Sequence, residues 1–222
     1  MAASDMKLLG SWPSPFAMRV HIALKLKGIS YEFHEENLLE ARSEILLKSN
    51  PVHKKIPVLI HNNKPICESQ VIVEYVDEVF TSGPPILPSD PYDRAIARFW
   101  AAYIDGELFS MMRVTVRGKD EEEKKAAFEG VRVGLEILEG AFVKISDGKG
   151  FFGGEKIGFV DIVLGSQLGW IKVTEKISGT AFINEAKTPG LYGWAERFCS
   201  DVVVKDLMPE TDKLLEYAIA AF

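Results

Sequence analysis

The stretch Asn50–Ser69 reads NPVHKKIPVLIHNNKPICES. Ile56-Pro57 ends a basic loop and opens a short apolar run, Val58-Leu59-Ile60. A proline has no ladder donor, so it belongs at the first residue of a strand or at an edge. Such an X-Pro bond can be cis, which gives the preceding residue an unusual, ligand-facing backbone pose. His61-Asn62-Asn63-Lys64-Pro65 is turn-forming, with asparagines suited to positive φ, and leads into a second run, Pro65-Ile66-Cys67. Glu68-Ser69 then opens an amphipathic helix. An acid and a hydroxyl there are expected to cap it, and the adjacent free N–H groups can bind a carboxylate. The stretch therefore joins a peptide-binding edge to an anion-binding helix start.

Upstream, Lys7–Ser11 reads as a strand, and Ser14-Pro15 as an N-cap followed by the proline favoured at the first helical position. Phe16, Val20, Ala23 and Leu24 supply that helix's apolar stripe, and Gly28 stands where a C-terminal glycine is expected. Tyr31–Glu36 alternates as a strand, and a short helix is expected near Ser43–Lys48. Beyond the opening stretch, Val71, Ile72, Tyr75, Val76 and Val79 recur at helical spacing over Glu68–Phe80. The order strand, helix, strand, helix, strand, strand, helix makes an α/β unit with a mixed sheet over residues 1–82.

Thr81–Pro91, TSGPPILPSDP, holds four of the eleven prolines and reads as a linker, its core at residues 83–91. After it strand alternation stops. Tyr92–Arg117 and Glu121–Ile145 read as long helices, a more apolar helix runs through Asp161-Ile162-Val163-Leu164, and two more fall near Gly190–Ser200 and Pro209–Phe222. Residues 92–222 are therefore expected to form an all-helical second domain.

Of the 222 residues 47% are hydrophobic and 26% charged, as in ordinary globular chains, and the net charge of −6 argues against a nucleic-acid or anionic-membrane binder. The two cysteines, Cys67 and Cys199, allow no disulfide framework or zinc spacing, and a reducing compartment fits. MAASDMKLLG lacks the layout of a signal peptide, and no run approaches a membrane span, so the cytosol is the expected location. His21, His34, His53 and His61 have no ligand spacing, and phosphate-binding glycine loops are absent, so neither metal nor nucleotide is expected.

Five motifs in order carry a family resemblance: Trp12-Pro13-Ser14-Pro15-Phe16, Asn50 through Val58, Ile66-Cys67-Glu68-Ser69, Arg98-Phe99-Trp100 and Gly158-Phe159-Val160-Asp161. Across essentially its whole length the chain resembles a plant tau-class glutathione S-transferase. The resemblance implies a thioredoxin-like N-terminal domain that binds glutathione, an all-α C-terminal domain that contributes a hydrophobic substrate pocket, and a homodimer. It implies conjugation of the glutathione thiol to apolar electrophiles in detoxification, with peroxide reduction as a side activity.

The same resemblance distributes roles. A serine at the position of Ser14 activates glutathione. A free thiol of pKa ~8.5 is only a few per cent ionised at neutral pH, and a hydroxyl donor at a positive helix end favours the anion. Taken alone, Ser14-Pro15 would be a plain helix cap. Thiol transferases of related fold carry cysteine there, so mixed-disulfide chemistry is disfavoured. Ile56, beside Pro57, is expected to offer its backbone to the cysteinyl part of glutathione, as in strand addition. Glu68 and Ser69 match the positions that hold the γ-glutamyl end, and Arg42 and Lys55 those that hold the glycyl carboxylate. Lysine is commoner where Arg42 stands, a swap that keeps the charge but changes the geometry. Trp12, Phe16, Phe109, Met112, Arg113, Val116 and Trp170 match pocket-lining positions, with Val116 replacing a tryptophan of several relatives. Singly, each is more often a core residue than a ligand wall.

Asp161 matches an acid that caps a helix and nucleates the second domain. Gly158 stands where serine or threonine is usual, so only half the capping box can form. Glu78, Arg94 and Arg98 are implied at the subunit contact, although such charges are ordinarily a solvated face. The alternative function is a non-catalytic carrier of apolar ligands on the same fold; Ser14, Glu68 and Ser69 favour the enzyme, because a carrier has no need to ionise a thiol.

Overall fold

The computed structural model describes residues 5–221; of the expected final helix, Phe222 lies outside the described residues. The chain divides into two compact units, one from the described residues of Met1–Pro85 and Glu216–Phe222, the other Ile86–Leu215.

In the first unit, β1 (Met6–Gly10), α1 (Pro15–Leu26), β2 (Glu32–Glu35), α2 (Glu44–Ser49), β3 (Val58–His61), β4 (Lys64–Cys67) and α3 (Ser69–Val79) follow in sequence. The sheet order is β2-β1-β3-β4. β1 runs parallel to β2 and antiparallel to β3, and β3 and β4 form a hairpin. Asn62 and Asn63 both take positive φ at its turn, as short polar residues can.

Central β1 and β3 are apolar on both faces because both faces are covered. Leu9 and Val58 pair and pack against Leu46 of α2. Leu8 and Leu59 pair on the other face and are equally buried. α1 and α3 pack together, and where α1 ends a buried Lys27–Asp77 ion pair at 2.7 Å joins it to α3. Gly28 follows with φ +67, the left-handed residue that lets the chain leave the helix.

The second unit is helical: α4 (Pro91–Tyr103), α5 (Phe109–Arg117), α6 (Glu121–Ser146), α7 (Phe159–Gly165), α8 (Leu168–Ser178) and α9 (Pro189–Ser200), followed by α10 (Thr211–Ala221), whose end groups with the first unit. That grouping differs from the expected division at 92–222. Tyr217 packs edge-on against Trp12, with ring centroids 5.5 Å apart.

The single helix expected over Tyr92–Arg117 is interrupted. A π-helical turn, Ile104–Leu108, separates α4 from α5. Ala97, Ala101, Ile104, Leu108, Met112 and Thr115 are all buried, a period of three to four residues that keeps one face inward across the π turn. The apolar helix expected through Asp161-Ile162-Val163-Leu164 is α7, and α8, which the sequence reading did not include, follows it after Ser166-Gln167.

Candidate functional site

Ser14 is placed by the loop before it. Ser11 Oγ and the Trp12 N–H both donate to Glu35 Oε1, each at 3.0 Å. The Ser14 N–H donates to the Ser11 carbonyl at 2.9 Å. Ser14 is extended, Pro15 begins α1, and Ser14 Oγ accepts the Ala17 N–H at 3.2 Å. That contact uses an oxygen lone pair and leaves the hydroxyl hydrogen available to a ligand. Ser14 is 9% exposed, so the group is sheltered but reachable.

The binding edge is built from the opening stretch. The Ile56-Pro57 peptide is cis. Pairing of β3 starts at Val58, so Ile56 lies outside the register on both sides of the strand. The preceding loop is organised by Asn50, which is buried. Its Nδ2 donates to the Lys55 carbonyl at 2.9 Å, and its Oδ1 accepts the His53 N–H at 3.1 Å. Lys55 itself is exposed.

At the start of α3 the expected capping is only partly realised. Glu68 occupies the N-cap position but makes no side-chain cap bond. Its backbone sits at φ 71, ψ 117, a conformation an L side chain adopts at a cost of about 1–3 kcal/mol. That pose turns the carboxylate outward, where His53 Nε2 lies 3.9 Å away. Ser69 is buried, and its Oγ accepts a hydrogen bond from Arg19 Nη1 at 3.2 Å. The Arg19 guanidinium is itself buried and lies 4.9 Å over the Phe16 ring.

Arg42 is exposed on the loop between β2 and α2, and its Nη1 donates to the Leu38 and Glu40 carbonyls at 3.1 and 3.3 Å. In the same unit Trp12 is exposed and Phe16 half-buried. The other predicted pocket residues belong to the second unit. Phe109, Met112, Arg113 and Val116 follow one another along α5, and Trp170 lies in the first turn of α8. Of these Met112 is buried, while Arg113 and Val116 face solvent.

Cys67 does not read as a redox centre. Burial and then the neighbouring Glu68 carboxylate push its thiol pKa up, away from the reactive thiolate. Among the described residues no cluster of three or more His, Cys, Asp or Glu could hold a metal ion, and no helix is long and apolar enough to cross a membrane.

Sequence reading missed Arg19, Asn50 and Glu35 as organisers of this site. A polar residue in an apolar stripe was the available signal for Arg19, but burial alone distinguishes a tether from a solvated arginine. Asp161, read as structural, is fully buried in the second unit. It accepts N–H groups from Phe152, Gly153, Gly158 and Trp194 Nε1, each at 2.8 Å. Gly158 has no side chain to return the bond, so half a capping box is what forms.

The family profile described as "Glutathione S-transferase, N-terminal domain" matches residues 4–78, and "Glutathione S-transferase, C-terminal domain" matches 92–201. Among curated proteins, Glutathione S-transferase U17 of Arabidopsis thaliana is 55% identical over 223 residues, covering 100% of this chain and 98% of that protein. U18 of the same plant is 56% identical with the same coverage. Among solved structures, a tau class glutathione S-transferase from mango, Mangifera indica, superposes with a TM-score of 0.96 at 59% identity over 100% of both chains. A rice glutathione transferase in complex with glutathione does so at 0.87 and 36% identity, over 97% of this chain and 95% of that one.

Proposed function

Because this chain belongs to the glutathione S-transferase family, in its plant tau class, we propose that it conjugates the glutathione thiolate to hydrophobic electrophiles, with Ser14 stabilising the thiolate. The observation that carries this reading is the hydroxyl of Ser14 at the N-terminus of α1, accepting from Ala17 and left with its hydrogen to give. An accepting oxygen is a stronger donor, and the helix end adds positive potential where the sulfur would sit. Lowering a thiol pKa by ~2 units needs about 2.7 kcal/mol of preference for the anion, within reach of a charge-assisted hydrogen bond plus a helix terminus.

Glutathione is held along the edge. The Ile56 backbone next to Pro57 takes the cysteinyl part as an added strand would. The outward Glu68 carboxylate takes the γ-glutamyl ammonium, while the Ser69 hydroxyl and the N-terminal end of α3 take its carboxylate. Arg42 and Lys55 take the glycyl carboxylate. Thiolate attack forms the carbon–sulfur bond as the electrophile's leaving group departs with its electron pair. Trp12 and Phe16 in the first unit, and Phe109, Met112, Arg113, Val116 and Trp170 in the second, are assigned to the electrophile. Peroxide reduction by the same thiolate is assigned as a side activity. A carrier role alone would leave the Ser14 arrangement and the strained Glu68 backbone without a use.

On the same reading the protein acts in the cytosol as a homodimer. Glu78 at the end of α3 and Arg98 on α4 are exposed, Arg94 lies half-buried one turn before Arg98, and these three charges are assigned to the contact with a second copy. Sedimentation velocity at micromolar concentration tests the dimer, and a monomer there overturns it. For the chemistry, retention on immobilised glutathione and turnover of chlorodinitrobenzene are measured for wild type and Ser14→Ala. An inactive wild type, or a fully active variant, overturns the Ser14 mechanism.

A further inference from the structure

On the reading that Arg42 meets the glycyl carboxylate of glutathione, we infer that Glu36 is the positioning residue of that arm, through its grip on the peptide group following Arg42. Glu36 is 2% exposed, an unusual state for a glutamate, so its contacts must offset the loss of water. Its own N–H donates to the Gly10 carbonyl at 2.7 Å, which anchors it to the end of β1. Its carboxyl oxygens receive both donors of Ser43. The hydroxyl donates to Oε1, and the Ser43 N–H, which belongs to the Arg42–Ser43 peptide, reaches Oε2 at 3.4 Å. His34 Nε2 lies 3.6 Å from Oε1.

Ser43 Oγ in turn accepts the Leu46 N–H at 3.1 Å as the N-cap of α2. Its hydrogen is committed to Glu36 and a lone pair to Leu46, so the start of α2 and the residue before it are held together. Arg42 then folds its guanidinium over the Leu38 and Glu40 carbonyls of the same loop. The second cation of the arm is presented by the same device, with the Lys55 carbonyl held by the buried amide of Asn50. Two exposed cations converge on one small anion only if their backbones are fixed. A displacement of about 1 Å costs much of a bidentate guanidinium contact.

The test is steady-state kinetics of the full chain with glutathione and with its glycyl monoethyl ester, which lacks the carboxylate. Wild type, Glu36→Gln, Arg42→Ala and the double variant are compared. Glu36→Gln keeps the shape but sets an amide against the Ser43 donors. It should raise the KM for glutathione roughly five- to tenfold, with kcat at saturation within about twofold. The rise should vanish in the Arg42→Ala background, since both changes break one arm. With the ester, wild type and Glu36→Gln should have the same KM. Additive effects, an ester KM that rises as the glutathione KM does, or a fall in kcat at constant KM would each overturn the inference. If Glu36→Gln does not fold, Ser43→Ala removes only the hydroxyl, and the same comparisons apply with a smaller KM rise. An active wild type whose glutathione KM is unmoved by Arg42→Ala overturns this inference alone. A wild type without glutathione-dependent turnover overturns the underlying function and the inference together.

Discussion

Arg19 Nη1 donates to Ser69 Oγ at 3.2 Å, tying the helix that Ser14 starts to the helix that Ser69 starts. The helix begun by the group that would ionise the thiol is thus tied, through one buried guanidinium, to the group that would hold the γ-glutamyl end. A hydrogen bond with a charged donor is worth more than a neutral one, and burial makes its loss costlier.

Removing this tether should be felt in binding before chemistry. Arg19→Met keeps the apolar stem but strands Ser69 Oγ without its donor. The KM for glutathione should rise about tenfold or more, with a smaller change in kcat, and Arg19→Lys should recover part of the loss. A variant with unchanged KM would show that Ser69 needs no tether.

Ser14→Ala should return the bound thiol toward its free pKa of ~8.5. The thiolate's ultraviolet absorbance, followed against pH in the binary complex, reads this directly. The pH dependence of kcat/KM should shift upward with it, and if ~2 pKa units are lost the thiolate fraction at pH 7, and turnover with it, should fall roughly 25-fold. The variant also loses the cap on Ala17, about 1 kcal/mol of stability, which thermal unfolding separates from the kinetic effect.

Gly158→Ser looks like an improvement, because it completes the capping box with Asp161. The structure predicts the opposite. A Cβ on Gly158 would stand 2.8 Å from the Gly153 Cα and 3.4 Å from the Ile86 carbonyl oxygen, and backbone cannot swing aside. The midpoint of thermal unfolding should fall, by the few degrees that 1–3 kcal/mol of overpacking causes.

Two buried groups should shape stability against pH in opposite senses. Burial lowers the pKa of His21, which is hydrogen-bonded to Tyr31, from 6.5 to about 4. Its contribution is present above pH 6.5 and is lost as pH falls toward 4, up to about 3 kcal/mol. Burial raises that of Asp161 from 3.8 to about 6, against the pull of its four N–H donors. The folded state then holds the proton more tightly, so its contribution is present below pH 3.8 and lost as pH rises through 6. Denaturant unfolding at pH 4.5 and 7 should show wild type losing stability toward acid relative to His21→Gln, and losing it toward neutrality relative to Asp161→Asn. The reverse sign for Asp161 would mean that its hydrogen bonds outweigh its burial.

Much of the first unit could be read along the chain, because its signals are local. The proline at a strand start, the paired asparagines of the turn, the Ser-Pro helix start and the glycine after α1 each specify a backbone conformation within a few residues. Helix boundaries in the second unit were less legible. Tyr92–Arg117 is periodic enough to read as one helix, and its buried face stays continuous across the π turn at Ile104–Leu108, so the apolar pattern carries no mark of that turn.

The sequence by itself determined the order of elements in the first unit, the position of Ser14 at a helix start, and the family. Tertiary structure alone decided which polar residues organise the site. Arg19 and Ser69 are fifty residues apart, and Glu36, just after β2, meets Gly10 at the end of β1. Nothing local distinguishes a buried tether from a solvated charge. It also decided that Glu68 takes a left-handed pose instead of capping α3. Propensities act between near neighbours, whereas burial and the cost of an unpaired polar group arise only once distant segments meet.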